Sequence, residues 1–236
     1  SCTVHSVLDL VGGYQQVALD EESTKITAFA VPHVGLFEHL TLPQGLKSAP
    51  AQFQPLMDLV TSPLGKSIKV AAYLDDLCIG STSFSQHLVD LQRVFEVFAK
   101  ARHKFCPAKC QLAKETIVLL GHKLSKNGIE PLESKIKAIQ SIPSPKTVPE
   151  TRRLLGCFAY YRQFIPRCAE IAYPLTQLLR KKSVWNWSEE HEQAVQKIKA
   201  ALSSPPVLAL PDWQGEFRLV ADASLKALAS VLENKQ

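Results

Sequence analysis

Three acidic residues interrupt apolar runs: Asp9 closes Val4-His5-Ser6-Val7-Leu8, and Asp75-Asp76 lie between Val70-Ala71-Ala72-Tyr73-Leu74 and Leu77-Cys78-Ile79. A carboxylate among Val, Leu and Ile is costly unless a cation offsets it. Two carboxylates about 4 Å apart repel by roughly 4 kcal/mol at an effective dielectric near 20. Divalent ions reverse that sign, and Mg²⁺ in particular takes oxygen ligands, keeps waters and binds through one or two carboxylates plus substrate phosphates. Two such ions can activate an attacking hydroxyl and stabilise a leaving pyrophosphate during an in-line displacement. Taken alone, an Asp-Asp pair at a hairpin tip is better explained as a solvated turn. A second metal reading, zinc on Cys106 and Cys110 with His103 nearby, is disfavoured because no second pair follows at finger spacing.

The elements that would position these acids can be read from patterning. Residues 4–10 form a short strand, and TKITAFAVP and GLFEHLTLP are two β-rich runs around a Pro/Gly break, which predicts a hairpin. Ser48 to about Thr61 is helical in pattern, with Phe53, Leu56, Met57 and Val60 on one side, and Pro63 and Gly65 stop it. The run IKVAAYLDDLCIGS makes two strands with the acidic pair at their junction. Residues 84–102 predict an amphipathic helix with Leu88, Leu91, Phe95 and Phe98 inward. Asn127-Gly128 marks a tight turn within TIVLLGHKLSKNGIEP. Thr147-x-x-Glu150 is a capping box opening a helix after the proline-rich IPSPKTVP. More helix is expected around 169–180 and over 188–202, the latter N-capped by Ser188 with Ala194, Ile198 and Leu202 buried. SSPPVLALPD is a second proline-rich connector, and EFRLVADAS and LASVLE return to strand patterning.

The chain has 236 residues, 46% of them hydrophobic, which is enough for a real core and excludes a disordered class. No apolar run approaches the length of a transmembrane helix. The start lacks a basic leader and an initiator Met, which suggests a piece of a longer chain. Six cysteines are too sparse for a disulfide scaffold, so reduced thiols in an intracellular protein are expected. Charge is unevenly spread. Residues 1–99 carry a balance of −5, residues 100–153 carry +8 and residues 154–236 carry +2. The basic middle reads either as a surface for a polyanion held beside the carboxylates or as ordinary solvated lysine.

The longer strings settle the choice between a solvated turn and a metal site. LDLVGGYQQVALDEES, TAFAVPHVGLFEHLTLPQGLKSAPAQFQPLMD and YLDDLCIGS, followed by LLGHKLSKNGIEP, TRRLLGCFAYYRQFIP, IAYPLTQLL and VADAS, resemble the reverse transcriptases of Gypsy-type retroelement and retroviral Pol proteins. The resemblance covers essentially the whole chain. It implies an α+β fold: a palm with an antiparallel sheet and helices on one face, then a helical thumb, a connection region and a truncated ribonuclease H start. The corresponding domain expectations are palm with partial fingers and primer-grip hairpin over 1–128, thumb over 129–183, connection over 184–214 and ribonuclease H-like start over 215–236.

The resemblance also implies roles. Asp9, Asp75 and Asp76 match the catalytic, metal-holding aspartates, with two Mg²⁺ as cofactors and Mn²⁺ as a possible substitute. Tyr14 matches the aromatic beneath the incoming sugar; apart from the family it reads as a core Tyr after the Gly12-Gly13 turn. Gln44 matches a residue contacting the incoming nucleotide, beside Gly45, in what is otherwise an ordinary turn. Leu120, Gly121 and His122 match the primer grip. Lys109 falls near the lysine proposed to protonate the leaving pyrophosphate; as a bare residue it reads as a surface Lys. Arg152, Arg153 and Arg162 are expected at the duplex backbone, with at least one of them making only a surface ion pair, and Trp185 and Trp187 resemble a connection-region pair that serves packing rather than base stacking. Asp222 matches the first metal-binding aspartate of ribonuclease H. The expected partners are an RNA or DNA template with its primer, and dNTPs. Against the family pattern, fingers strands upstream of Asp9 and the later ribonuclease H acids are expected to be missing, so ribonuclease H activity is not expected of this chain. The expected function is RNA-directed DNA polymerisation, with a catalytically silent nucleic-acid-binding remnant as the alternative.

Overall fold

The structure, a computed structural model, describes residues 2–180, 184–204, 206, 208–210, 215–223 and 228–234. The chain divides into two compact units, 1–119 and 120–236.

The first unit is organised by β1 (Val4–Asp9), which lies inside a four-stranded antiparallel sheet. Its neighbours are β4 (Lys69–Tyr73) and β5 (Asp76–Ser81) on one side and β6 (Gln111–Lys114) on the other, in the order β4-β5-β1-β6. Alternation along β1 sorts its side chains. Leu8 stands opposite Leu77, and both join Ile79 in a core with Phe53 and Met57 of α2 (Ala49–Thr61) and Leu91, Val94 and Phe98 of α3 (Phe84–Lys100). The opposite face of the same strands carries the Asp9–Asp76 and Val7–Cys78 pairs.

The expected strand TKITAFAVP is only half strand. Asp20 accepts from the backbone N–H groups of Glu22 and Ser23 and caps a helix, α1 (Glu21–Ile26), which consumes Thr24 to Ile26. The N-cap carboxylate and the two glutamates of the first turn overrule the β-branched residues there. The hairpin follows as β2 (Phe29–Val31) paired with β3 (Gly35–Phe37). The unit ends in β7 (Thr116–Leu119).

In the second unit β8 (His122–Ser125) and β9 (Gly128–Pro131) form a hairpin, with Gly128 opening β9 rather than sitting in the loop. Four α-helices follow among the described residues: α4 (Glu133–Gln140), α5 (Val148–Tyr160), α6 (Cys168–Gln177) and α7 (Glu189–Ser203). Their core is Leu154, Phe158, Phe164, Leu175, Val195, Ile198 and Leu202, all at most 2% exposed. Thr147 and Ser188 cap α5 and α7 as the sequence predicts. Strands β10 (Phe217–Ala223) and β11 (Leu228–Asn234) pair antiparallel. Parts of the second proline-rich connector, and Ser224, lie outside the described residues.

Candidate active site

The acids meet at one end of the β1–β5 ladder. Asp9 is the register partner of Asp76, which in an antiparallel pair puts their Cα atoms about 4.5–5.5 Å apart. Leu74 and Asp75 make the two-residue turn between β4 and β5, and Leu74 adopts φ 51°. The Leu10 N–H donates to the Asp75 carbonyl at 3.1 Å, tying the turn to the end of β1. Burial, and then the charges of Asp9 and Asp75, push the Asp76 carboxyl above the ordinary carboxylate range, with Lys109 opposing them.

Five residues pack or bond around this corner. Gln54 of α2 accepts from the Leu74 N–H at 2.9 Å and donates to the Ala72 carbonyl at 3.1 Å, which satisfies a backbone bent into the left-handed region. Tyr14 meets the fully buried Phe53 edge to face, with centroids 5.1 Å apart. Gly13 packs against Phe53 and Asp75: a Cβ there would stand 3.0 Å from Phe53 Cζ and 3.2 Å from Asp75 Cβ. Gln16 bridges two segments, donating to the Val11 carbonyl at 2.8 Å and accepting from the Lys104 N–H at 2.7 Å. Sequence reasoning missed Gln54 and Gln16, because each bonds main chain distant in sequence, Gln54 at Leu74 and Gln16 at Lys104.

The helix face of the sheet holds a polar chain that patterning also missed. The Ala113 N–H donates to Ser6 Oγ at 2.9 Å, and Ser6 Oγ lies 2.7 Å from His87 Nε2. His87 Nδ1 lies 2.9 Å from Ser81 Oγ, which donates to Asp90 Oδ2 at 2.5 Å. Because the Ser81 proton goes to Asp90, His87 must carry its own proton on Nδ1, and Ser6 donates to Nε2. Burial pushes the His87 pKa down, as does nearby His5, while Asp90 opposes them. This chain corrects the predicted face of α3. Leu88 and Phe95 are exposed, and the buried side is His87, Asp90, Leu91, Val94 and Phe98.

The remaining predicted residues are spread over both units. Gln44 is exposed, beside Gly45 at φ 94° in a turn. Lys109 is exposed and its Nζ stands 3.2 Å from Asp9 Oδ1. In the second unit Leu120 and Gly121 are both left-handed, at φ 46° and 72°. Tyr160 donates to the Leu120 carbonyl, and its ring stacks on His122 at 5.2 Å. Arg152, Arg153 and Arg162 are exposed, with no ion pair among the described residues. Trp185 and Trp187 stack at 6.1 Å and donate to Thr151 and Glu192. Asp222 is exposed on β10, where its carboxylate accepts from the Ala223 N–H. Cys106, Cys110 and His103 form no metal-holding group among the described residues.

Residues 1–124 match the family described as reverse transcriptase (RNA-dependent DNA polymerase). The chain belongs to that family. Residues 187–236 of this reverse transcriptase chain match the RNase H-like domain found in reverse transcriptase. The chain is 40% identical over 232 residues to the retrovirus-related Pol polyprotein from transposon 297 of Drosophila melanogaster, covering 98% of this chain and 22% of that protein. It is 33% identical over 233 residues to the transposon Tf2-3 polyprotein of Schizosaccharomyces pombe, covering 99% and 17%. It thus spans about a fifth of the length of these curated relatives. Among solved structures it is similar to a foamy viral protease-reverse transcriptase in complex with double-stranded DNA, at TM-score 0.85 and 26% identity, covering 99% of this chain and 41% of that one. A second foamy viral protease-reverse transcriptase, in complex with an RNA/DNA hybrid, gives TM-score 0.83 at 26% identity, covering 98% and 31%. These neighbours agree with the α+β fold. No helix among the described residues is long and apolar enough to cross a membrane.

The family uses divalent metals, so the acids can be tested against that chemistry. The donors are all carboxylate oxygens, the set a hard cation prefers. Asp9 Oδ1 is buried, accepts no well-aligned hydrogen bond among the described residues and is faced by the Lys109 ammonium at 3.2 Å, so it is an oxygen whose charge a cation offsets. No three acids among the described residues are gathered into a ready-made metal group. Because Mg²⁺ needs only one or two protein carboxylates with substrate phosphates supplying more oxygens, Asp9 with its neighbour Asp76 or Asp75 fits the ion.

Proposed function

We propose that this chain is the polymerising core of a retroelement Pol protein, an RNA-directed DNA polymerase that adds deoxynucleotides to a primer 3′-OH. The observation that carries the reading is the register of Asp9 against Asp76, with the Asp75 carbonyl bonded to the next residue of β1. Asp9, Asp75 and Asp76 would hold two Mg²⁺, or Mn²⁺ in their place. Bound there, such ions supply charge stabilisation at the attacking and leaving oxygens.

The chain's own residues do the positioning. Gln54, Gly13 and Phe53 hold the acidic turn, and Tyr14 lies beside it on Phe53. Gln44 and Lys109 are the side chains assigned to the incoming nucleotide, on exposed turns. Leu120, Gly121 and His122 are assigned to the primer end. A turn with two left-handed residues suits that task, because backbone contacts to phosphate position without reading sequence. Template-primer duplexes as partners are supported by the nucleic acids bound in the foamy viral structures. The exposed Arg152, Arg153 and Arg162 are assigned to phosphates.

A second reading, a catalytically silent nucleic-acid-binding remnant, is favoured by two observations: no three acids among the described residues form a ready-made metal group, and the Lys109 ammonium stands 3.2 Å from Asp9. Primer extension with Mg²⁺ on an RNA template separates the two, with Asp75→Asn as the control. Extension by the natural chain and its loss in the variant support the polymerase. Equal signals from the two proteins favour the remnant.

A further inference from the structure

The loop that carries Lys109 is fastened to the main chain of Asp9 itself. The Cys106 N–H donates to the Asp9 carbonyl at 2.8 Å, and the Val11 N–H donates to the Lys104 carbonyl at 2.9 Å. A turn then follows in which the Lys109 N–H donates to the Cys106 carbonyl at 3.0 Å. Lys109 is thereby delivered to one place, with its ammonium 3.2 Å from Asp9 Oδ1. That oxygen is buried and takes no well-aligned hydrogen bond. Across the ladder stands Asp76, so the ammonium is the cation that offsets a pair of like charges brought together by the register.

From this geometry we propose that Lys109 is a built-in counter-ion which occupies Asp9 when no divalent metal is bound and must leave for the metal to bind. The inference rests on the metal-binding reading of Asp9 and adds a regulatory exchange to it. An ammonium and a divalent ion cannot share one carboxylate oxygen at contact distance without strong repulsion. The two states are therefore exclusive, and metal affinity is reduced by the work of displacing the lysine. In the metal-free state the same contact keeps the acids from driving the hairpin tip away from β1.

The test measures Mn²⁺ binding to the whole chain by electron paramagnetic resonance, without nucleotide or primer, so that no activity is involved. Lys109→Met is expected to bind Mn²⁺ about two- to fivefold tighter than the natural chain, the scale of losing one exposed ion pair. Lys104→Met removes the same charge from the same loop without the contact, and is expected to leave the affinity unchanged. Asp9→Asn is expected to abolish the site in both backgrounds. Unchanged or weaker affinity in Lys109→Met, with Asp9→Asn still abolishing binding, overturns the exchange and leaves the metal reading standing. An equal gain in Lys104→Met also overturns it, by reducing the effect to general charge. Binding that survives Asp9→Asn overturns the metal reading itself. Circular dichroism on each variant establishes that the fold is kept.

Discussion

Replacing Gly13 by alanine probes how closely the acidic turn is held. Gly13 opens a single 3-10 turn and has no positive φ, so an added methyl meets no backbone penalty and acts by contact alone. That methyl would stand 3.0 Å from Phe53 Cζ and 3.2 Å from Asp75 Cβ, both closer than ordinary van der Waals contact. Phe53 is fully buried against Leu8, Met57 and Leu77 and cannot swing away. Overpacking of this kind costs about 1–3 kcal/mol, offset by about 0.4–1 kcal/mol from stiffening the unfolded chain. A net loss of roughly 1–2 kcal/mol is expected from the difference of those terms, read as a lower urea midpoint at unchanged slope.

Part of the strain should push Asp75, so primer extension should fall by about tenfold or more, since small misplacements of reacting groups are costly. Phe53→Leu shortens the ring side chain. The double variant Gly13→Ala with Phe53→Leu should be more stable than the sum of its parts by about 0.5–3 kcal/mol. Strict additivity, or a Gly13→Ala protein with native midpoint and rate, would refute the close-approach reasoning.

Ser6→Ala should leave the buried His87 Nε2 and the half-buried Ala113 N–H without this partner and cost about 1–3 kcal/mol, the usual penalty for one buried unsatisfied group; a change in urea midpoint equivalent to less than half a kcal/mol would contradict the hydrogen-bonded chain. Asp76→Asn should raise the midpoint of the metal-free protein at pH 7 while abolishing extension. The Asp76 carboxyl is raised above 3.8 by burial and by Asp9 and Asp75, so the native state holds that proton more readily and loses stability as pH rises through the window above 3.8. His5, His87 and His103 are all lowered from 6.5 by burial. The unfolded chain then binds more protons, so their contribution is complete above pH 6.5 and is lost as pH falls below it. The midpoint should drop between pH 7.5 and 5.5, and His103→Phe, whose buried Nδ1 has no partner to lose, should recover part of the drop. A midpoint flat over that range would exclude the histidine account.

Which features could be read from sequence follows from how far their partners lie along the chain. Asp9 and Asp76 stand out because each breaks an apolar run, and a local pattern shows that. The caps at Thr147 and Ser188 and the buried stripe Ala194, Ile198, Leu202 are local for the same reason. The inward face of α3 is not legible in the sequence, because apolar spacing favours Leu88 and Phe95. The helix instead turns His87 and Asp90 inward, where Ser6 and Ser81 of two strands satisfy them. Ser6 and His87 are 81 residues apart, and Gln16 and Lys104 are 88 apart. No window of the sequence contains either pair.

The strict alternation of β1 sets unequal tolerances for change in length. Deleting one residue between Val4 and Leu8 would turn Asp9 toward α2 and α3 and leave a leucine on the face where the acids stand, while Ser6 would lose His87. By contrast the exposed tip between β2 and β3 has no such parity to keep. Length variation among descendants of this chain should therefore collect at residues 32–34 and be purged from residues 4–9, a footprint left by geometry alone.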